Sequence, residues 1–403
     1  MSEWVRIKLS DCCASIVDGD HQSMPVTDNG IPFVIISDIK DNRIDFSNTR
    51  FVPNSYYESL DNKRKPEKGD VLYSVKGSFG IPVFVTSNRP FTFQRDIAIL
   101  KCNEKIDSQF LYYVLKSDYY YRIANSLAIG SAQRAITLKT LKNIEIPCPG
   151  LNIQRKVASI LSAYDSLIET NQRQIKLLEE AAQRLYKEWF VDLRYPGHEN
   201  VPVVDGVPEG WVRKTMADIC QAIGGGTPST AKKEYYESGT IRWVTPTDLT
   251  KSGSWILLDT EKKITKDGLD NCSAKMLPPY TILMTSRASI GYIAICKHEV
   301  CTNQGFISCV PFDEKVRYYL MLNLLNRVDE LKSKATGSTF LEIAKRTFRE
   351  LEIITPSEET IISFNKVVIP LIRKMELIRQ QNESLSIARD RLLPKLMSGE
   401  IAV

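Results

Sequence analysis

The residues with the clearest chemical potential lie in the segment "GGGTPSTAKK", residues 224–233. Three glycines lead into threonine and serine hydroxyls and then into Lys232 and Lys233. A mononucleotide-binding loop would place Gly-Lys-Ser/Thr between a strand and a helix, and this segment lacks that tripeptide. The glycines therefore indicate an unusual backbone path or a close approach of the backbone to another surface. Taken alone, the segment fits a phosphate-facing loop and a solvated turn equally well.

Two further segments could be proposed as catalytic or metal sites. "LPPY" (277–280) has the Pro-Pro-aromatic sequence of an amino-methyltransferase loop, but leucine stands where Asn, Asp or Ser would hold the target amine. We interpret it as a turn at a strand entrance. Cys296, His298, Cys301 and Cys309 lack the paired Cys-x-x-Cys spacing of a zinc site, so we interpret the cysteines as strand-core residues. Neither repeat carries a carboxylate cluster for metal-assisted hydrolysis, and we predict no catalytic and no metal residues.

Length and charge restrict the class of protein. A chain of 403 residues predicts two or more domains. The 53 Lys and Arg residues against 48 Asp and Glu give a net charge of +5, which permits nucleic-acid binding without establishing it. Nine scattered cysteines fit a reducing compartment better than a disulfide framework. Because no apolar run approaches about 18 residues and the start has no signal-peptide core, we expect a cytoplasmic protein without membrane association.

The second half of the chain repeats the first at an offset of 207 to 211 residues. "EWVRIKLSDCCASI" (3–16) matches "GWVRKTMADICQAI" (210–223), and "IPFVIISDI" (31–39) matches "IRWVTPTDL" (241–249). Near the end of each copy, "AIGSAQRAITLKTLKNIEIPCP" (128–149) matches "ATGSTFLEIAKRTFRELEIITP" (335–356). So long a period is typical of a duplicated domain, not of a solenoid of short repeats.

Each copy consists of a strand-rich region followed by a long helical region. Short apolar, β-branched and aromatic segments broken by Gly, Pro and Asn predict strands, with helical insertions such as 108–127. The predicted fold class is α+β. The predicted domains are 1–150 and 211–356, with helical spacers at 151–191 and 357–403 and a Pro- and Gly-containing linker at 192–210.

The two helical regions carry matching hydrophobic seams. In the first, apolar positions recur in steps of four and three, and the predicted seam includes Ile160, Leu167, Asn171 and Gln174. The second runs from Phe364 to Leu385 with Asn382 at the equivalent position. We predict that the helices form an antiparallel coiled coil in which Asn171 and Asn382 mark the register. The alternative is that each helix packs on its own globular domain.

The order of domain, helix, domain and helix resembles the specificity subunit of type I restriction–modification systems. The motifs that carry the resemblance are the glycine loop "AIGGGTPST", "DL" after an aromatic strand, a Ser-x-x-x-Gly before a strand, "GS" before "LEI-x-x-P", and the lead-in "VPEGW" (207–211). The resemblance covers essentially the whole chain. The first-copy loop "VDGDHQSMP" (17–25) departs from the pattern, since it has lost Gly-Gly-Thr.

The resemblance implies a non-catalytic reader of double-stranded DNA. Its two target-recognition domains would each read one half of a bipartite site. Its helices would set the spacing and dock two copies of a methyltransferase subunit, with a motor-nuclease subunit joining for restriction. S-adenosylmethionine would belong to the methyltransferase subunits, and this chain would hold no cofactor.

Candidate DNA-contacting residues follow from the glycine loop and from the repeated strand ends. Amide side chains can read adenine, arginine can read guanine or hold phosphate, and hydroxyls and lysines can contact phosphates. The first copy supplies Lys76, Ser78, Gln94, Arg95, Ser131, Gln133 and Arg134. The second copy supplies Thr227, Thr230, Lys232, Lys233, Arg287, Ser289, Gln304 and Ser338.

Two other classes of protein are alternatives to a DNA reader. A coiled-coil scaffold that binds only protein partners is compatible with the balanced charge. A single-chain methyltransferase or nuclease is disfavoured because the cofactor and metal motifs are missing.

Overall fold

In the computed structural model, the described residues are 4–21, 24–130, 134–337, 339–401 and 403. The chain divides into two compact units. The first contains residues 1–168 and 385–403, and the second contains residues 169–384. Each unit therefore combines one strand-rich region with a stretch from both of the long helices.

The first unit is built around a four-stranded sheet in the order β2-β10-β7-β8 and a three-stranded sheet in the order β6-β3-β9. Two further pairs, β1-β11 and β4-β5, complete its strands. The strands are β1 (Arg6–Lys8), β2 (Cys13–Asp18), β3 (Ile31–Val34), β4 (Ile39–Lys40), β5 (Arg43–Ile44), β6 (Arg50–Val52), β7 (Val71–Ser74), β8 (Pro82–Phe84), β9 (Thr92–Phe93), β10 (Ile97–Cys102) and β11 (Glu145–Pro147).

The second unit repeats this arrangement. A five-stranded sheet in the order β15-β22-β19-β20-β17 accompanies a three-stranded sheet, β18-β16-β21, and the pairs β14-β23 and β12-β13. The strands are β12 (Val203–Val204), β13 (Val207–Pro208), β14 (Val212–Thr215), β15 (Cys220–Gly224), β16 (Ile241–Val244), β17 (Ile256–Leu257), β18 (Lys263–Ile264), β19 (Ile282–Thr285), β20 (Ile293–Cys296), β21 (Cys301–Thr302), β22 (Phe306–Pro311) and β23 (Glu352–Thr355).

Equivalent strands pair in the same sense in both units. β3 and β9 run parallel, as do β16 and β21, whereas β10 is antiparallel to both β2 and β7, as β22 is to β15 and β19. The predicted duplication and the α+β fold class are confirmed.

Short helices connect the strands, and two long helices close the repeats. The helices are α1 (Leu9–Cys12), α2 (Asn54–Ser59), α3 (Ser108–Lys116), α4 (Asp118–Leu127), α5 (Leu138–Lys142), α6 (Leu151–Tyr186), α7 (Met216–Ile219), α8 (Pro246–Ser252), α9 (Lys266–Asp270), α10 (Arg317–Asn326), α11 (Val328–Ser333), α12 (Lys345–Arg349) and α13 (Glu358–Met397). A π-helical turn, Lys187–Val191, extends α6. Glu358 and Glu359 lie in the first turn of α13, where the positive end of the helix dipole stabilises carboxylates.

The long helices run antiparallel within each unit. In the second unit, Asn171 contacts Asn382, and the centre of the Trp189 ring lies 5.7 Å from that of the Phe364 ring. A residue further along α6 therefore contacts a residue earlier in α13, which is the antiparallel arrangement. In the first unit, Asp165 of α6 accepts a 2.5 Å hydrogen bond from Arg389 of α13. The predicted antiparallel coiled coil is confirmed.

The predicted seam on α6 is out of register by one residue in its middle. Ile160 and Leu167 are 36% and 40% exposed, and Gln174 is also exposed. The residues that follow them, Leu161, Ile168 and Ile175, are buried instead. The repeat of three and four residues is right, but α6 also packs on the strand-rich regions, and this packing rotates the buried stripe away from a pure coiled-coil seam.

Both strands and long helices contribute to the cores. In the first unit, Val157 and Leu161 of α6 and Leu393 and Leu396 of α13 share one apolar cluster with residues of β7 and α3. In the second, Ile175 and Trp189 of α6 join Phe364 and other residues of α13, with residues of β19 and α10. The end of α13 therefore packs within the first unit, and the alternative in which each helix packs only on its own domain is wrong.

Candidate nucleic-acid interface

In the first unit, three chain segments meet just beyond the carboxyl end of β7. The backbone N–H of Val75 donates to the carbonyl oxygen of Asp96 at 2.8 Å. The N–H of Ile136 donates to the carbonyl oxygen of Val75, also at 2.8 Å. Because these bonds involve only the backbone, the meeting point tolerates changes in the side chains around it.

The predicted contact residues Lys76, Ser78 and Arg134 lie on two of these segments. Lys76 forms an isolated antiparallel bridge with Ala135, and the Gly77 N–H donates to the Arg134 carbonyl oxygen at 3.2 Å. Ser78 and Arg134 are exposed, and Lys76 is half-buried. The structure therefore brings together two stretches that are about 55 residues apart in sequence.

The side chain of Arg134 is held by Asn125 and lies near the Phe79 ring. Its Nη1 donates to Asn125 Oδ1 at 2.7 Å, and its Nη2 donates to the Asn125 carbonyl oxygen at 2.5 Å. The guanidinium carbon lies 5.9 Å from the centre of the Phe79 ring. A guanidinium fixed in this way loses little conformational freedom on binding a base or phosphate.

The third segment of the first unit carries Gln94 and Arg95. The Gln94 Nε2 donates to Asp96 Oδ2 at 2.9 Å, so part of the hydrogen-bonding capacity of this amide is used within the protein. Arg95 is exposed.

The second unit forms the same junction beyond β19. The Ser286 N–H donates to the Gly305 carbonyl oxygen at 2.8 Å, and the Ile343 N–H donates to the Ser286 carbonyl oxygen at 2.9 Å. The Ala288 N–H donates to the Leu341 carbonyl oxygen at 2.9 Å, as Gly77 does to Arg134. The two units thus share a backbone frame on which different side chains are mounted.

Arg287 occupies the position of Lys76 and has a different environment. Its Nε lies 3.6 Å from Glu342 Oε2, and its guanidinium carbon lies 5.9 Å from the centre of the Phe340 ring. Ser289 is exposed, and its carbonyl oxygen accepts a 2.5 Å hydrogen bond from Thr285 Oγ1.

One backbone position in this frame requires a left-handed conformation in both units. Gly77 has φ of 74°, which costs glycine little, whereas its counterpart Ala288 has φ of 58°. A residue with a Cβ in this region carries strain of about 1 kcal/mol or more. The hydrogen bond from Ala288 to Leu341 therefore helps to hold a turn that the sequence alone disfavours.

Close packing explains the glycines in the first half of the glycine loop. A Cβ on Gly225 would lie 2.0 Å from the Asn303 carbonyl oxygen, and one on Gly226 would lie 2.4 Å from Ser273 Oγ. The Gly226 carbonyl oxygen accepts a 3.0 Å hydrogen bond from the Trp243 indole. These glycines allow the chain to approach its own backbone, so their presence is not by itself a sign of phosphate binding.

The second half of the glycine loop is open to solvent. Thr230, Lys232 and Lys233 are exposed. Lys232 Nζ donates to the Tyr235 hydroxyl at 3.0 Å, and this hydrogen bond raises the pKa of the ammonium group. The 3₁₀ turn Lys233–Tyr235 starts at the next residue.

Contacts connect part of the glycine loop to the junction of the second unit. Thr227 Oγ1 donates to Gln304 Oε1, and Gln304 directly precedes Gly305, which accepts from Ser286. Thr227, Gln304 and the turn that contains Arg287 therefore lie close together. Ser131, Gln133 and Ser338 lie outside the described residues.

Two exposed residues at this site escaped prediction from the sequence. Phe340 is 56% exposed and Leu341 is 52% exposed, next to Arg287. Their residue types do not by themselves indicate a contact with DNA, and only their alignment with Gln133 and Arg134 in the first copy pointed to this surface.

The remaining predicted features have ordinary surroundings. Cys296, Cys301 and Cys309 are buried in β20, β21 and β22, and burial raises the pKa of Cys296 to about 11 and that of Cys301 to about 12. Among the residues whose positions are described, no group of three or more His, Cys, Asp or Glu is placed to hold a metal ion. Within the described chain, no helix is long and apolar enough to cross a membrane.

The register asparagines are buried and in contact. Asn171 Nδ2 donates to Asn382 Oδ1 at 2.8 Å and to Gln381 Oε1 at 3.1 Å. A buried amide pair of this kind is compatible with the predicted register role, which itself stays a prediction.

The duplicated sequence matches a known family. The family model "Type I restriction modification DNA specificity domain" matches residues 1–180 and 208–386, one match for each repeat. The chain belongs to this family, and it is a specificity subunit of the type I restriction–modification class.

Individual relatives resemble the chain along different lengths. The type I restriction enzyme HindI specificity subunit of Haemophilus influenzae is 27% identical over 474 residues, covering 100% of both chains. The MjaIX specificity subunit of Methanocaldococcus jannaschii is 39% identical over 181 residues, covering 44% of this chain and 42% of the relative. The fold is similar to a crystal structure of a type I S subunit from M. genitalium, with a TM-score of 0.60 and 18% identity over 98% of this chain and 96% of that one.

Proposed function

We propose that each unit reads one half of a bipartite double-stranded DNA site. The observation that carries this proposal is the pair of junctions, because the same backbone frame presents Lys76 and Arg134 in one unit and Arg287 and Leu341 in the other, next to a glutamine in each, Gln94 and Gln304. Two readers of different base sequences need the same backbone arrangement with different side chains on it, because base edges are distinguished by the groups that contact them.

The chain would act without catalysing a reaction itself. In this proposal, S-adenosylmethionine is bound by two methyltransferase subunits, a motor-nuclease subunit joins for restriction, and the assembly works on DNA in the cytoplasm. The duplication supports two methyltransferase copies, because two equivalent units offer two equivalent surfaces. The names of the curated relatives, which are type I restriction enzyme specificity subunits, support the wider assembly.

The long helices would set the distance between the two half-sites. This part of the proposal is supported by the length of α6 and α13, 36 and 40 residues, and by the buried Asn171–Asn382 contact that favours one alignment.

Exchange of one reader tests the proposal. Residues 1–150 are replaced by the same region of a relative, and the methylated sites are mapped in cells that express the chain with its methyltransferase. One half of the methylated sequence should change and the other half should stay the same. Since Leu393 and Leu396 pack in the core of the first unit, residues 385–403 should be exchanged together with it.

The matched control is the reciprocal exchange of residues 211–356, which should change the other half only. Changes in both halves after either exchange would contradict independent reading. The isolated chain with S-adenosylmethionine should methylate no DNA, and methyl transfer by the chain alone would contradict the non-catalytic role.

A further inference from the structure

Each unit carries a short hairpin docked on its junction. The backbones of Ile129 and Ala135 exchange hydrogen bonds of 2.8 and 2.9 Å and close the first tip hairpin, whose described residues are 129, 130, 134 and 135. Thr336 and Glu342 close the second tip hairpin with two hydrogen bonds of 2.9 Å, and its described residues are 336, 337 and 339–342. The two hairpins are closed at equivalent positions, 207 residues apart.

The tip hairpins differ in the chemistry that they expose. Arg134 gives the first hairpin a charged, polar end. Phe340 and Leu341 stand at the equivalent part of the second hairpin, and more than half of each side chain is accessible to water. Two adjacent large apolar side chains at an exposed turn forgo the stabilisation that burial would give, and they leave an apolar surface available for contact.

The charge around both hairpins fits a polyanion. Residues 122–142 contain four cations and no carboxylate. The equivalent stretch of the second unit, residues 329–349, contains five cations and three carboxylates, Asp329, Glu330 and Glu342, and so has a net charge of +2. Basic segments that bracket an exposed tip are typical of a surface that approaches the phosphates of a duplex.

We propose that Phe340 and Leu341 recognise a thymine in the second half-site by contact with its 5-methyl group in the major groove. The proposal rests on the proposed function, because it assigns a base type to one of the two readers. Thymine is the only base of unmodified DNA that offers an apolar group there, and phenylalanine is among the side chains that contact it. The first hairpin, with Arg134, reads polar base edges instead.

The environment of Phe340 favours a surface contact over insertion between base pairs. The Arg287 guanidinium lies 5.9 Å from the centre of the ring and is itself positioned by Glu342. Insertion into the base stack would draw the ring away from this cation, whereas contact with a methyl group leaves the Phe340–Arg287 pair in place.

Replacing thymine by deoxyuridine tests the assignment, because this change removes only the methyl group. The complex of the chain with its methyltransferase is titrated with duplexes in which each thymine of the mapped site is replaced in turn. At one or two positions of the second half-site, binding should weaken by about fourfold per methyl group lost from an apolar contact. Replacements in the first half-site should leave binding unchanged.

A double variant identifies the side chains responsible. Phe340→Ala with Leu341→Ala should bind the thymine site more weakly and show no further loss with deoxyuridine. Phe312→Ala is the matched control, because Phe312 is 66% exposed in the same unit and should keep the deoxyuridine effect. The thermal midpoint of each variant shows whether it has folded.

The possible failures are distinguishable. A second half-site without an A·T pair, or wild-type binding that is insensitive to deoxyuridine throughout that half-site, would overturn the thymine assignment alone. Wild-type complex that binds a duplex without the mapped site as tightly as the mapped site would overturn the proposed function as well. If the double variant does not fold, the wild-type titration still decides the assignment.

Discussion

Lys232 and Lys233 are adjacent and exposed, but they differ in what surrounds them. Lys232 donates to the Tyr235 hydroxyl and lies over its ring, at 5.0 Å from the centre, whereas Lys233 starts a short turn. If both contact phosphates, Lys232→Ala with Lys233→Ala should weaken DNA binding by the assembled complex. The slope of log K against log salt should fall by about one to two, since each phosphate contact contributes about 0.9.

The single variants and a control separate the two lysines. Lys233→Ala should account for at least half of the change, because Lys232 has to give up its tyrosine partner to reach DNA. Lys366→Ala, on the exposed surface of α13, removes one charge elsewhere and should leave the slope unchanged. If the double variant keeps the wild-type slope of log K against log salt, this segment is an ordinary solvated turn.

Glu179 makes stability depend on pH. Burial within the second unit raises the pKa of Glu179 to about 7, in spite of a hydrogen bond from the Trp255 N–H and the charge of Arg379. The folded state therefore holds this proton more tightly than the unfolded chain, and its stability falls as pH rises from about 4.5 to about 7. The loss is complete above that range.

Glu179→Gln should abolish this dependence, because glutamine can still accept from Trp255 and carries no charge. At pH 8 the variant should be more stable by about 1–2 kcal/mol, allowing for partial exposure, and its thermal midpoint should rise by a few degrees. At pH 4.5 the two proteins should unfold at similar temperatures. Glu180→Gln is the matched control, and an equal gain from it at pH 8 would attribute the effect to general charge reduction.

At the scale of single residues, the sequence predicted which residues of the two copies are equivalent better than it predicted the contacts that they make. The alignment of Lys76 with Arg287 and of Arg134 with Leu341 is reproduced by equivalent backbone hydrogen bonds. The exposure of Phe340 could not be predicted, because an apolar residue near a strand is usually buried and only tertiary structure decides otherwise. The glycines at 225 and 226 proved to serve internal packing, which spacing alone could not distinguish from ligand contact.

The buried amide pair is the feature of the long helices that most directly tests alignment. Asn171→Leu removes the amide that donates to Asn382 and should cost about 1–3 kcal/mol, because a buried polar group loses its bond. The double variant Asn171→Leu with Asn382→Leu should cost less than the sum of the singles, since both polar groups are gone. A double-mutant cycle from denaturant midpoints measures the coupling.

Gln174→Leu controls for helix propensity and added apolar surface, because Gln174 is an exposed residue of the same helix. It should change stability by less than about 0.5 kcal/mol. If the asparagines fix the register, the double leucine variant should also methylate sites of a second spacer length. Additive single effects together with one spacer length would remove the register role.

At the scale of elements, the period of α6 could be predicted but its rotation could not. Steps of three and four identify an amphipathic helix whichever neighbour it packs against. The choice between Ile160 and Leu161, or between Gln174 and Ile175, depends on packing against the strand-rich regions as well as against α13. An apolar stripe that meets two neighbours is wider than a coiled-coil seam, so a heptad pattern places its centre only approximately.

At the scale of the whole molecule, the duplication predicted the repeated sheets because the matching segments fall on equivalent strands. The division into compact units was harder to predict. Each unit takes residues from both ends of the chain or from both long helices, and sequence order gives no direct sign that residues 385–403 pack with residues 4–168. Such long-range contacts follow from the antiparallel helix pairing, because the Asn171–Asn382 alignment places the end of α13 beside the start of α6.

We expect the lengths of α6 and α13 to set the distance between the two half-sites. Four residues, about one helical turn, inserted into α6 next to Asn171 add roughly 6 Å of helix, and duplex DNA rises about 3.4 Å per base pair. If helix length sets the distance between the half-sites, the unspecified spacer should lengthen by one or two base pairs. The recognised bases should stay the same, because neither strand-rich region has been altered.

The antiparallel pairing allows a sharper form of this experiment. An insertion in α6 alone shifts its seam by about 40° and has to be absorbed as a stutter. A second insertion of four residues in α13, beside Asn382 and thus level with Asn171, lengthens both helices at the same place and preserves their pairing. The double insertion should therefore give the longer spacer with better activity than the single one. An active complex that still methylates sites with the original spacer would show that the helices do not set the distance.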